Sequence, residues 1–385
     1  MTIKGSNPFF KRKCKPAINE TKLDKFGGCI IGIDFSIFAY KAKFNGDLIG
    51  GITKNNLRLL KNNITPIYVF DGKPPKEKGG VLQYRREKKN FMKIKKIIVE
   101  KCLEFDRSDF NDFKSNINDF IDENSFSYYI ENEELKYYFN MSNDDLKKEI
   151  DKISKRIIYI SHDDVESCKI LLDLFGIKYI QAECEAESLI AMLCKNNLID
   201  GCISEDSDFL ANGGSLLLRN FSSDKNTIEE YCLKGILDCL DFSYEKFLDF
   251  CILCGSDYTP KINGLGPITA YKIMNKCTNI EDFLTTNNKY IIPENFDYIK
   301  ARDLFKNPIT KEVYDTIDKD FKMVQPKIEL LKEFIKTSKL KDKYYKIIDD
   351  NLINYYLNID GMNQFDYKKK DTKIEMKITD YYRQI

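Results

Sequence analysis

Between Tyr179 and Asn212 the chain reads YIQAECEAESLIAMLCKNNLIDGCISEDSDFLAN. Glu183, Glu185 and Glu187 come first, and Asp206 and Asp208 follow after an apolar stretch. Crowded carboxylates raise one another's pKa unless a metal ion or an Arg or Lys compensates. Hard oxygen donors of this kind suit Mg2+ or Mn2+ better than zinc. The stretch is read as part of a carboxylate-lined divalent-cation site. Any one of these acids could be an ordinary helix-start residue. The whole set is harder to explain that way, because two more strand ends in the chain also carry an acid.

A strand, a helix and a strand must position these acids. KYIQ (178–181) reads as a strand end, residues 188–197 carry apolar side chains at helical spacing, and GCIS (201–204) reads as a second short strand. Parallel sheets are built from this unit, and their ligands sit beyond the carboxyl ends of the strands. CIIGI (29–33) runs into Asp34, and PIYVF (66–70) runs into Asp71. Both read as buried parallel strands with an acid at the carboxyl end. RIIYI (156–160) and SLLLRNF (215–221) add two more expected strands, and residues 163–175 an expected helix. The fold class that follows is α/β.

The charges almost cancel, with 61 Lys and Arg against 60 Asp and Glu, so their distribution matters more than their sum. Residues 73–101 hold 11 Lys/Arg and 3 Glu, and residues 102–135 hold 10 Asp/Glu and 2 Lys/Arg. A basic contact surface next to an acidic segment is the reading. A single histidine, His162, makes Ser-His-Asp, Cys-His and His-metal chemistry poor candidates. The 12 scattered cysteines, with no signal peptide or membrane-spanning run, are expected to be reduced thiols. Cys251 and Cys254 lie inside an apolar run, so packing is favoured over zinc.

Residues 1–27 read as a mixed, basic, solvated arm. After Lys73-Pro-Pro a basic helix is expected over 81–101, studded with Lys78, Arg85, Arg86, Lys88 and Lys89. Cations close behind an acidic strand end favour phosphate contact. Residues 102–150 read as an acidic, aromatic insertion with weak helical patterning. YEKFLDFCILC (244–254) reads as a helix, and INGLGPITAYKI (262–273) as a tight glycine turn at Gly264 and Gly266 opening a helix at Pro267. Such a turn can present backbone amides to a phosphate, or to a cation bridging to it. Residues 280–360 are expected to be largely helical, and the polar tail begins at Asp366.

Five segments in this order, IIGIDFSIFAY, YVFDGKPPKEKGGVLQYRREKK, AECEAESLIAML, SEDSDFL and LCGSDYTPKINGLGPITAYKI, resemble the flap endonuclease/XPG-type family of structure-specific 5′ nucleases. The resemblance runs from about Cys29 to Lys276, apart from the segment near 100–155. It implies a PIN-like 5′-nuclease core, a parallel sheet with helices on both faces, with a helical arch insertion and a helix–two-turn–helix DNA-binding element. It implies two Mg2+ ions per site, with Mn2+ able to substitute, held by Asp34, Asp71, Glu185, Glu187, Asp206, Asp208 and Asp257. Glu183 is one acid more than the motif needs. Lys78 and Arg85 match basic residues at the foot of the arch, and Tyr40 matches an aromatic that stacks on a base. Ile262, Gly264 and Gly266 match the two-turn element that holds K+ against the uncut strand. Ile378, Tyr381 and Tyr382 resemble a sliding-clamp box, with Glu375 where glutamine is usual. Thr2 stands where the family has glycine.

The implied reaction is hydrolysis at 5′-flap junctions, leaving a 5′-phosphate and a 3′-hydroxyl, with 5′-3′ exonuclease activity beside it. Two metals can activate a water and stabilise the leaving oxygen, so no protein nucleophile is needed. The implied organisation is a core over 1–280 (N-region 1–101, arch 78–155, I-region 156–280), a helical region over 281–365 and a tail over 366–385. A monomer without membrane contact, inside the cell at a site of DNA replication such as the nucleus, is expected. Bubble cutting, junction resolution, and catalytically inactive junction binding as a clamp adaptor stay open as alternatives.

Overall fold

The structure is a computed structural model, and it describes residues 3, 5–124, 130–222, 225–336, 338 and 348. Thr2 and the tail residues Glu375, Ile378, Tyr381 and Tyr382 lie outside the described residues. The described chain falls into two compact units, residues 78–160 and the remainder.

The larger unit is built on one seven-stranded sheet: β1 (Ile18–Lys22), β2 (Ile30–Asp34), β3 (Thr65–Phe70), β4 (Tyr179–Gln181), β5 (Gly201–Ile203), β6 (Leu216–Arg219) and β7 (Thr227–Cys232). Their order is β1-β7-β6-β5-β2-β3-β4. The five strands β6, β5, β2, β3 and β4 are mutually parallel. β7 and β1 continue the sheet antiparallel, so it is mixed rather than wholly parallel. The central strands are apolar on both faces because helices cover both. At Gly32 a Cβ would lie 2.5 Å from Ile190, so the helix Ala186–Lys195 packs directly on the backbone of β2. Asp34 pairs with Val69 in register, which leaves the acid at the carboxyl end of the ladder.

Two expectations are corrected. The described residues of 1–27 are not a solvated arm. The helix Ser6–Lys13 buries Phe9 and Phe10, whose rings pack against Phe250, and residues 18–22 form β1. Residues 156–160 are not a strand. The helix Asn143–Arg156 ends there, and Ser161 caps the helix His162–Phe175 in a capping box. Residues 157–160 join no strand of the sheet, and the carbonyl of Ile158 accepts from Lys89 rather than from a ladder partner.

The smaller unit has a core of its own. The helix Gly79–Glu104 is followed by Phe110–Glu123, Asn132–Phe139 and Asn143–Arg156. They bury Ile98, Val99, Phe113, Ile117, Leu135, Leu146 and Ile153. The salt bridge Lys95–Glu134 ties the basic helix to the acidic segment.

Of residues 280–360, four helices are described: Ile280–Thr286, Tyr298–Lys306, Lys311–Thr316 and Ile328–Ile335. None of the 12 cysteines is in a disulfide, and Cys251 and Cys254 are buried, as packing requires. Among the described residues no helix is long and apolar enough to cross a membrane.

Candidate active site

Four neighbouring strands deliver the acids to one edge. Asp34 closes β2, and Asp71 follows β3 immediately. Beyond β4, Glu185 is the N-cap of the helix Ala186–Lys195 and Glu187 lies in its first turn. Beyond β5 come Asp206 and Asp208, the latter opening the short helix Asp208–Ala211. β2, β3, β4 and β5 are parallel, so all four carboxyl ends open on the same side.

Hydrogen bonds then fix the loops. The amides of Gly72 and Lys73 donate to the carbonyls of Cys184 (2.6 Å) and Glu183 (2.8 Å). A Cβ at Gly72 would sit 2.1 Å from the carbonyl oxygen of Ala182, so only glycine allows the two loops to meet. The carboxylate of Asp71 accepts from the Ser36 hydroxyl (2.5 Å) and from the Ala186 amide (3.0 Å). The Ser204 hydroxyl donates to Asp34 (3.2 Å) and accepts from the Asp206 amide (3.0 Å). Asp206 accepts from the amide of Asp208 (3.0 Å), and Asp208 accepts from the amide of Ile3 (2.8 Å). Glu185 Oε2 accepts from the hydroxyl of Tyr258 (2.5 Å). Neither Ile3 nor Tyr258 carries a local sequence signal, because each meets its acid from a distant part of the chain.

The electrostatics register the crowding. Burial, then Asp71 and Asp206, push the Asp34 carboxyl up to about 7. Burial, then Asp34, Asp206, Asp71 and Glu185, push Glu187 well above the usual carboxylate range. The structure thus brings Asp34, Asp71, Glu185, Glu187 and Asp206 into mutual range. Asp208 and Asp257 are buried, and Asp257 immediately precedes Tyr258. Glu183 is exposed.

In donor chemistry the residues suit a divalent cation. The set is all oxygen, and Oδ1 of Asp34 is buried with no hydrogen-bond partner. A buried carboxylate oxygen without a donor is costly unless a positive charge compensates it. Among the described residues no three His, Cys, Asp or Glu side chains are gathered tightly enough to hold an ion in the arrangement present.

The expected nucleic-acid contacts are spread more widely. Tyr40 is 47 % exposed on the helix Phe35–Phe44. Lys78 is the helical N-cap of Gly79–Glu104, so it shares a helix face with Arg85 two turns on. Arg86 and Lys88 are exposed. Lys89 is engaged inside the smaller unit, with the Ile158 carbonyl at 3.1 Å and the Tyr159 ring at 5.3 Å. The glycine turn lies between the helices Tyr244–Cys254 and Pro267–Met274. Gly264 has φ +80°, the left-handed region, whereas Gly266 is extended at φ −127°. Ile262 is buried, so it can offer DNA only its backbone.

Comparison with known proteins adds the family. The XPG N-terminal domain matches residues 1–92 and the XPG I-region matches residues 176–257. Flap endonuclease 1 of Entamoeba histolytica is 31 % identical over 363 residues, covering 88 % of this chain and 84 % of the relative. Flap endonuclease 1 of Plasmodium vivax is 31 % identical over 391 residues, and there the chain spans 54 % of the relative's length. The catalytic core of Rad2 in complex with DNA substrate has the same fold, with a TM-score of 0.60 at 22 % identity over 91 % of this chain and 99 % of that one. At that identity and coverage, the chain belongs to the flap endonuclease/XPG family of 5′-flap endonucleases.

Proposed function

We propose that the chain hydrolyses phosphodiester bonds at 5′-flap junctions with two Mg2+ ions bound by Asp34, Asp71, Glu185, Glu187, Asp206, Asp208 and Asp257. The observation that carries this reading is the arrival of the acids from the carboxyl ends of four adjacent parallel strands, with Asp34 and Glu187 raised by their neighbours. Divalent ions in such a set activate water and stabilise the leaving oxygen. The chain's own residues then hold and orient. Asp34 and Asp71 are anchored by Ser204 and Ser36, and Asp208 by the amide of Ile3. Lys78 and Arg85 supply positive charge to the scissile phosphate. Tyr40 takes a base by stacking. The turn around Ile262, Gly264 and Gly266 would hold K+ and offer backbone amides to the uncut strand. Arg86 and Lys88 are better placed than Lys89 for phosphate contact, because Lys89 already has partners.

The finer points of the reading are a monomer that works inside the cell, 5′-3′ exonuclease activity on the same site, and clamp docking through Ile378, Tyr381 and Tyr382. The deciding experiment compares single-turnover cleavage of 5′-labelled double-flap, bubble, gapped and four-way DNA with and without Mg2+. Mg2+-dependent cutting favouring the double flap supports the reading. Preference for a bubble or a four-way junction would reassign the substrate, and binding without cutting would remove the catalysis.

A further inference from the structure

Tyr258 reaches a proposed ligand from outside the sheet and from far along the chain. Its hydroxyl donates to Glu185 Oε2 at 2.5 Å across 73 residues of sequence. The ring is half-buried and meets the fully buried Phe305 edge-on, with centroids 4.9 Å apart. The Tyr258 amide donates to the Ser256 hydroxyl at 3.3 Å, which fixes the backbone on the near side. A phenol held at both ends has little freedom to follow Glu185, so Glu185 must conform to it.

The support behind the ring is stiff. Phe305 lies on the helix Tyr298–Lys306, one turn beyond Arg302. Arg302 donates from Nε and Nη2 to Asp249 at 2.9 and 3.0 Å, and from Nη1 and Nη2 to Glu281 at 3.0 and 3.1 Å. Asp249 sits on the helix Tyr244–Cys254 and also accepts from the Ile280 amide at 3.0 Å. A planar guanidinium in two bidentate grips fixes orientation as well as distance. Three helices are thereby clamped together behind Phe305.

We infer that Tyr258 is a positioning residue that holds Glu185 in its cation-binding rotamer, with Phe305 and the Arg302 clamp as its support. The inference rests on the proposed cation site. A carboxylate on a helix N-cap has several rotamers, and one fixed donor selects among them. Partners that orient a ligating group typically change affinity about 10–100-fold when removed.

The test uses the full chain without DNA and reads free Mn2+ by its electron paramagnetic resonance signal. Tyr258→Phe removes only the hydroxyl and should weaken Mn2+ binding about tenfold, the low end of that range, with the melting temperature nearly unchanged. Tyr258→Phe added to Glu185→Gln should cause no further loss, because coupled residues are non-additive. Phe305→Leu should weaken Mn2+ binding in the same direction by a smaller factor, and it keeps the test open should Tyr258→Phe fold poorly. Wild-type affinity in Tyr258→Phe, or full additivity with Glu185→Gln, overturns the inference while leaving the cation site standing. Wild-type affinity in Glu185→Gln alone removes Glu185 from the cation site, and the inference with it.

Discussion

The backbone amide of Ile3 donates to Oδ1 of Asp208 at 2.8 Å, joining residues 205 apart in sequence. Around it the Ser6 and Ser207 hydroxyls meet at 2.9 Å, and Phe9 and Phe10 anchor the helix behind them. The start of the chain is therefore part of the acidic site. Ile3→Pro deletes the donor and leaves a buried carboxylate oxygen short of a partner. Such a loss costs about 1–3 kcal/mol, so single-turnover cleavage should fall about 10–100-fold. A cleavage rate equal to wild type would show that the amide is dispensable.

Asp206→Asn and Asp208→Asn each remove a charge from the proposed cation site. Cleavage should be lost while anisotropy with double-flap DNA stays within a few-fold of wild type. Full activity in both variants would remove these two acids from the mechanism.

The raised acids make a statement about pH. In the folded chain Asp34 titrates at about 7, above the usual aspartate value, and Glu187 is also raised. The folded state therefore holds protons that the unfolded chain has already released. The favourable contribution is fully present below the unfolded pKa and is lost as pH rises through the folded one. In a chelator, stability should fall between about pH 4 and pH 7. Added Mg2+ should oppose that fall, most strongly near neutral pH. Urea melts at pH 5 and 7.5, with and without Mg2+, read both effects; equal Mg2+ stabilisation at the two pH values would contradict them.

The two glycines of the turn should separate. Gly264 sits at φ +80°, so Gly264→Ala strains the backbone itself. A loss of about 1 kcal/mol or more is expected, visible as a lower melting temperature. Gly266 is extended, and a Cβ there would meet nothing within 4 Å. Gly266→Val should leave the melting temperature alone and weaken duplex binding, because only an approaching strand would notice the side chain. Unchanged affinity in Gly266→Val would mean that no strand comes close at that point.

Arg85→Ala tests the basic helix. If Arg85 supplies charge to the scissile phosphate, the single-turnover rate should fall on the order of 10²-fold or more, with little change in binding. Raising pH should not restore the rate, because an arginine keeps its charge throughout. Tenfold weaker binding with a normal rate at saturation would make Arg85 a DNA anchor instead.

What was legible in the sequence follows from how each element is encoded. β2 and β3 were readable because buried parallel strands are continuous apolar runs, and Asp34 and Asp71 mark where they stop. The helix Tyr244–Cys254 was readable from its apolar run and the glycine after it. The helix Ser6–Lys13 was not, because Phe9 and Phe10 are its only large apolar residues in eight and Lys11-Arg12-Lys13 follows them directly. RIIYI at 156–160 misled because β-branched residues describe a preference, whereas a strand also needs a partner to pair with. The contact of Tyr258 with Glu185 is not legible there, because it depends on how helices stack behind the ring, which no local period records.

The spread of the acids along the chain also bears on when the protein can act. β2, which ends in Asp34, and β5, which leads into Asp206, are neighbours in space yet are made far apart in time on the ribosome. The smaller unit, with its own core, is synthesised between them. A growing chain that stops short of Asp257 lacks a member of the acid set, however well its earlier strands have paired. On the proposed assignment, cutting power cannot arrive before Asp257 has been made, and a chain that stops short of it would leave DNA uncut.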